Sequence, residues 1–181
     1  MIESLYLKNY KCFTNERIAL NDITLFTGAN AAGKSSIIQA MLLYQAGICD
    51  KGIINVNQAL GVQIGSPKAF ISQNPEGNDN FDFKIGFDNV GLEFYVDKEN
   101  GLDLRAIADN EVREMELAYL NAERIGPRMA YRAGGEDKIL PDGSNAAYLI
   151  EKADNKELKI PEILLLNQYL CFCFIIINFN R

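Results

Sequence analysis

Residues 28–35 read Gly-Ala-Asn-Ala-Ala-Gly-Lys-Ser, and this octet limits the fold more than any other stretch. Gly28 and Gly33 permit backbone dihedrals that a side chain would block. The loop between them can therefore turn its N–H groups inward as a nest for an anion. Before it runs the β-prone segment Ile-Thr-Leu-Phe-Thr, 23–27. After it, from Ser35, apolar residues fall at Ile37, Ile38, Met41, Leu42 and Tyr44, the spacing of one helical face. A strand, a glycine-rich turn and a helix ending near Gly47 are predicted in succession. The helix adds its positive end to the same point. The octet fits G-x-x-x-x-G-K-[ST], whose chemistry is the cradling of a phosphate chain. In that pattern Lys34 reaches the β- and γ-phosphates, the Ser35 hydroxyl ligates Mg²⁺ and Ser36 lies on the α-phosphate side. The alternative is a Gly/Ala-rich turn that holds Lys-Ser by chance.

The rest of the chain supplies a scaffold. Residues 2–7 form a short β-prone segment, and the polar stretch from Asn9 to Asn21 is a connection or a hairpin. Residues 47–80 look irregular, with a short helix at 55–60. The period then changes to two: Phe81, Phe83, Ile85 and Phe87, followed after Asp88-Asn89 by Leu92, Phe94 and Val96. Asn100-Gly101 is a hairpin signal before Leu102, Leu104 and Ala106. An antiparallel three-stranded meander is expected, its aromatic stripe facing a core. A strand is expected at 116–122. Ser144 is expected to cap a helix from Asn145 to about Ala153. Residues 163–180 carry no charge, and 170–177 are unbroken and apolar. The run is too short to cross a bilayer, so a buried strand is expected. A reading-frame shift in an A/T-rich gene would also produce such a tail. The expected division is 1–162 for the folded lobe and 163–181 for the tail.

Composition excludes much. The chain has no histidine, so it holds no Ser-His-Asp triad, no Cys-His pair and no imidazole acid or base. Cys12, Cys49, Cys171 and Cys173 form no C-x-x-C pair. Free thiols in a reducing compartment are expected, and with no secretory signal at Met1–Ser4 a cytoplasmic location without membrane contact. The net charge of −6 over 181 residues gives no support to a nucleic-acid surface.

Residues 1–43 resemble the N-terminus of ABC-type P-loop ATPases of the SMC/RecF/OLD-like branch. The resemblance rests on Asn-Tyr-Lys-Cys-Phe (9–13), on 23–36 with Asn30 and Ser36, and on 37–43. Ala31 stands where that family usually has glycine. The segment 119–128 is similar to a strand and loop that follow the antiparallel subdomain in bacterial ATPases of this branch. The resemblance implies an α/β fold: the N-terminal lobe of a P-loop NTPase, β strand–P-loop–helix plus an antiparallel meander, with the C-terminal half of the fold missing. It implies ATP with Mg²⁺, bound by Gly28, Ala29, Asn30, Ala31, Ala32, Gly33, Lys34, Ser35 and Ser36, with Ser35 on the metal. Lys11 sits where the family has a basic residue near the nucleotide, or is a solvated surface lysine. Arg124, Arg128 and Arg132 contact the γ-phosphate, a second subunit or DNA, or are solvated on a loop. Gln73 precedes the meander and is not read as the Q-loop glutamine.

Such ATPases also need a signature, an acidic pair on a strand and a switch histidine. Ala133–Glu136 resembles the signature but is broken by Pro141. Ile163–Leu166 followed by Asn167-Gln168 resembles the acidic pair with both acids amidated, which would neither hold Mg²⁺ well nor activate water. Truncation explains this best, and slow or absent hydrolysis is expected. The full-length form would act in DNA repair or phage defence as a head-to-head dimer, DNA contact following from the family alone. The alternative is a non-hydrolysing module that pairs with an intact head. A small kinase or GTPase is disfavoured by the meander and by the lack of an N-K-x-D motif.

Overall fold

A computed structural model describes residues 2–49, 53–60, 66–96, 103–108, 112, 116–120, 140, 142–154 and 174–178. The chain divides into two compact units, Met1–Met115 with Phe179–Arg181, and Glu116–Asn178. The boundary expected at 162 lies outside the described residues.

The first unit is built on one antiparallel sheet of six strands: β1 (Ser4–Tyr10), β2 (Phe13–Ala19), β3 (Ile53–Asn55), β4 (Phe83–Phe87), β5 (Val90–Val96) and β6 (Asp103–Ala108). Their order is β2-β1-β4-β5-β6-β3. The meander read from the period-two stripes is therefore present as β4-β5-β6, with Phe83 opposite Phe94 and Ile85 opposite Leu92. The polar stretch 9–21 is a hairpin, since β1 and β2 pair from Ser4 with Ala19 to Tyr10 with Phe13. That hairpin joins the meander through β1 and β4, Leu5 opposite Phe87 and Leu7 opposite Ile85. Asp88, in the β4–β5 turn, fixes this register: its carboxylate accepts from the N–H of Glu3 at 3.0 Å and of Ser4 at 2.9 Å.

One face of the sheet is buried and the other is wet, as expected of an antiparallel sheet covered on one side. Leu5, Leu7, Phe83, Ile85, Phe94 and Leu104 are fully buried. On the opposite face Lys8 pairs with Asp79 at 2.8 Å and Lys84 with Glu93 at 3.8 Å. Helix α1 (Lys34–Cys49) covers the core with Ile37, Ala40, Met41, Leu43 and Tyr44. Tyr44 meets Phe87 edge to face at 4.8 Å, and Phe83 stacks on Phe94 at 4.8 Å. The helix ends at Cys49, two residues past Gly47, near the end read from the sequence. A Cβ at Gly47 would lie 2.8 Å from Leu92 Cδ1 and 3.1 Å from Ala106 Cβ, so glycine marks where helix and sheet approach most closely.

Helix α2 (Val56–Leu60) matches the short helix expected there, its first turn capped by the Asn55 side chain accepting from Gln58 N–H at 3.1 Å. A single 3-10 turn, Pro67–Phe70, buries Phe70 beside Tyr10.

The second unit pairs β7 (Glu116–Leu120) with β8 (Phe174–Asn178) antiparallel, and contains α3 (Ala146–Asp154). The strands expected near 116–122 and in the tail are present. Asn145, not Ser144, immediately precedes α3: its carbonyl accepts from Leu149 N–H at 3.1 Å. Its side chain is turned to Leu140 N–H at 2.9 Å. Among the described residues no helix is long and apolar enough to cross a membrane.

One expected element is missing. Residues 23–27 are not in a strand. Ile23 is 79% exposed and Leu25 67% exposed. β-propensity is the tendency to fit a half-buried pleated surface, and it forms no strand without neighbours to pair with.

Candidate functional site

The turn between β1 and β2 positions the glycine-rich loop. Asn9 and Lys11 adopt left-handed φ values of 54° and 51°, which reverse the chain within one tight turn. The Asn9 carboxamide is buried, accepting from Glu76 N–H at 2.8 Å and donating to Glu76 O at 3.4 Å. Lys11 N–H donates to Phe70 O at 2.8 Å, and Ser72 N–H to Asn9 O at 2.8 Å. This brace sets Cys12 and Phe13 against Gly33. A Cβ at Gly33 would lie 3.0 Å from both Cys12 Sγ and Phe13 Cζ, and the residue has φ 90°, so both space and conformation demand glycine.

From Gly33 the chain enters α1. Its carbonyl accepts the first helical bond, from Ile37 N–H at 3.1 Å. Among the described residues the N–H groups of Gly33, Lys34, Ser35 and Ser36 have no acceptor. These are the orphan donors of a helix start, gathered beside an exposed loop. Gly28, Ala29, Asn30, Ala31, Ala32 and Ser35 are all exposed, and Gly33 is buried beneath them. Ala31 holds φ 64°, a left-handed conformation that costs a residue with a Cβ about 1–2 kcal/mol. The Lys34 side chain folds back over the loop. Its ammonium donates to Gly28 O at 2.8 Å and to Ala29 O at 2.7 Å. The sequence-predicted residues 28–36 thus form one continuous site with its cation already in place.

Lys11 is tied to α1, its ammonium donating to Gln39 Oε1 and lying 4.8 Å from the centre of the Phe70 ring. Burial pulls its pKa below the ordinary lysine value, partly offset by the Cys12 thiol. It is a half-buried lysine rather than a freely solvated one. It lines an open cavity of about 450 Å³, with Cys12 and Thr14 on its own side and Ala69 and 71–74 opposite. Gln73 is exposed on the rim of that wall. The sequence reading missed Cys12, Phe13 and Gln39, the residues that brace Gly33 and hold Lys11. No periodicity could have marked them, because each acts across the fold on a residue distant in sequence.

Among the described residues no cluster of three acidic or cysteine side chains could hold a metal ion. At the loop the Ser35 hydroxyl is the one protein oxygen the motif supplies, so Mg²⁺ there would take its remaining ligands from phosphate oxygens and water. The free N–H groups and the Lys34 ammonium fit a bound polyphosphate. Arg124, Arg128, Arg132, Ala133–Glu136 and Ile163–Gln168 lie outside the described residues.

A family model described as "AAA ATPase domain" matches residues 1–171. No curated protein matches the chain.

Proposed function

We propose, from the premise that the chain belongs to the AAA ATPase domain family, that it binds a nucleoside triphosphate with Mg²⁺ at residues 28–36. The observation that carries this reading is the run of four N–H groups without acceptors, Gly33 to Ser36, beneath the Lys34 ammonium. Oriented backbone dipoles and a lysine ammonium at one loop favour a chain of phosphates. Lys34 would leave the Gly28 and Ala29 carbonyls for the β- and γ-phosphates. The Ser35 hydroxyl would hold the metal, which supplies charge neutralisation when bound.

The finer reading places the chain in the SMC/RecF/OLD-like branch, with ATP as the nucleotide and a second ATPase head as its partner. It is supported by residues 9–13 and by Asn30 and Ser36 of the loop. DNA repair or phage defence is that branch's context, and this acidic chain adds nothing to it. Hydrolysis by this chain is expected to be slow, below roughly 1 per second at the low end of ordinary turnover, because its sequence shows no acidic pair after an apolar strand to position Mg²⁺ and activate water. The alternative role, a module that binds nucleotide and pairs with an intact head without turnover, draws on the same feature.

Calorimetric titration with Mg-ATP and Mg-GTP tests the reading. ATP should bind at one site per chain. Lys34→Ala should weaken binding by at least about tenfold, the loss of one charged hydrogen bond being worth about 1.5–3 kcal/mol. Its melting curve should stay that of the parent. Equal affinity in the variant removes the phosphate assignment, and fast turnover removes the reading of a slow enzyme.

A further inference from the structure

We propose that Gln39 is a positioning residue for the phosphate chain: from α1 it holds the Lys11 ammonium, its charge intact, at the flank of the glycine-rich loop. The inference rests on the reading of residues 28–36 as a phosphate site. Two contacts from different directions put Lys11 there. Its ammonium donates to Gln39 Oε1, a bond between residues 28 positions apart. The next two residues, Cys12 and Phe13, press on Gly33, where a Cβ would lie 3.0 Å from each. Gln39 follows Ser35 by four positions in α1, so it stands one turn below Ser35 on the same face, about 6 Å along the axis. Helical side chains lean toward the N-terminus. The Gln39 amide, and the ammonium it holds, are thereby carried toward the free N–H groups of 33–36.

The surroundings of the ammonium suit an anion. It is half-buried and donates this one hydrogen bond among the described residues, so two of its three N–H groups stay open. Among the described residues no carboxylate pairs with it. The cavity that Lys11 lines has no acidic residue in its wall. The rings of Phe70, centred 4.8 Å away, and Tyr10, at 5.9 Å, hold the charge without cancelling it. An amide oxygen acts in the same way: it accepts a bond and carries no charge. A partly buried cation left whole costs free energy until an anion completes it. Lys34 supplies charge from within the loop, and Lys11 supplies a second charge from its flank.

A double-mutant cycle on Mg-ATP affinity, read by calorimetry on the full chain, tests this. Gln39→Met keeps the length of the side chain and removes the acceptor. It should weaken Mg-ATP about threefold or more, the coupling expected within one hydrogen-bond network. Lys11→Met should weaken it at least about tenfold, as the loss of a charged hydrogen bond does. Once Lys11 is replaced by Met, adding Gln39→Met should change nothing further, a result that a merely structural role for Gln39 would not give. Should Gln39→Met fail to fold, Gln39→Ala makes the same cut and is read in the same cycle. Additive losses overturn the inference. So does a Gln39→Met affinity equal to the parent's while Lys34→Ala still weakens binding, and that outcome leaves the phosphate reading standing. A parent that binds no Mg-ATP removes both.

Discussion

The six-stranded sheet and the segment that feeds the glycine-rich loop are both rich in β-formers, yet only one is paired. In the sheet, each strand finds its neighbours within residues 4–108, and its apolar alternates are covered by α1. In 23–27 the same residue types stand in the open. The difference teaches that local preference proposes a strand and non-local pairing decides it. The loop that follows is nonetheless well formed. It is held from behind, by Cys12 and Phe13 of the β1–β2 hairpin against Gly33, and not from the strand before it.

The sharpest way to break this comparison is to truncate one apolar side chain to alanine in each region. Phe83→Ala removes a fully buried ring stacked on Phe94 and should cost about 3–5 kcal/mol in urea unfolding. Leu25→Ala should cost under about 0.5 kcal/mol in dilute solution, as surface changes do. Comparable losses would mean that Leu25 is packed in the folded chain. Gly33→Ala probes the brace: a Cβ pressed on Cys12 and Phe13 at φ 90° should destabilise by more than about 1 kcal/mol and weaken nucleotide binding as well. A variant that loses neither would show the hairpin to be idle at the site.

Ala31→Gly should act in the opposite direction and by less. Glycine relieves the left-handed strain at φ 64°, while the freer unfolded chain takes back about 0.4–1 kcal/mol. A net gain under about 1 kcal/mol in the melting transition is expected. A loss would show that the methyl group is packed. Smallest is the pH effect at Lys11. Burial lowers its folded pKa below the 10.5 of the unfolded chain, so the unfolded state binds the extra proton between the two values. The burial penalty is fully present below the folded pKa and fades as pH rises toward 10.5. The stability difference between Lys11→Met and the parent should therefore shift in the parent's favour from pH 7 to pH 10. A flat difference would put Lys11 in water.

Much of this was legible in sequence, and what was not has a common cause. Period-two stripes announced β4 and β5 because one buried face leaves that mark on a strand. The loop and α1 were legible because glycine spacing and helical spacing are local. Strand β2, Phe-Thr-Asn-Glu-Arg-Ile-Ala, was legible only as one arm of a connection or a hairpin, because it lies at the sheet edge with mostly exposed side chains and none buried. Three-residue β3 hid because it is too short to show a period. The helix end near Gly47 was legible, but not that Leu92 and Ala106 crowd that glycine across the fold. Cys12 and Phe13 stood in the segment that carries the family resemblance, but their bracing of Gly33, 21 and 20 positions away, was not legible for the same reason.

The folded-back Lys34 has one more consequence. Its ammonium, at the protein surface, is already held by two carbonyl oxygens of the glycine-rich loop. On the proposed function, arrival of a triphosphate would be an exchange of ligands around that nitrogen, neutral oxygens leaving as anionic ones enter. The heat of binding is the difference between two sets of charge-assisted bonds, and the on-rate includes the release of the first set.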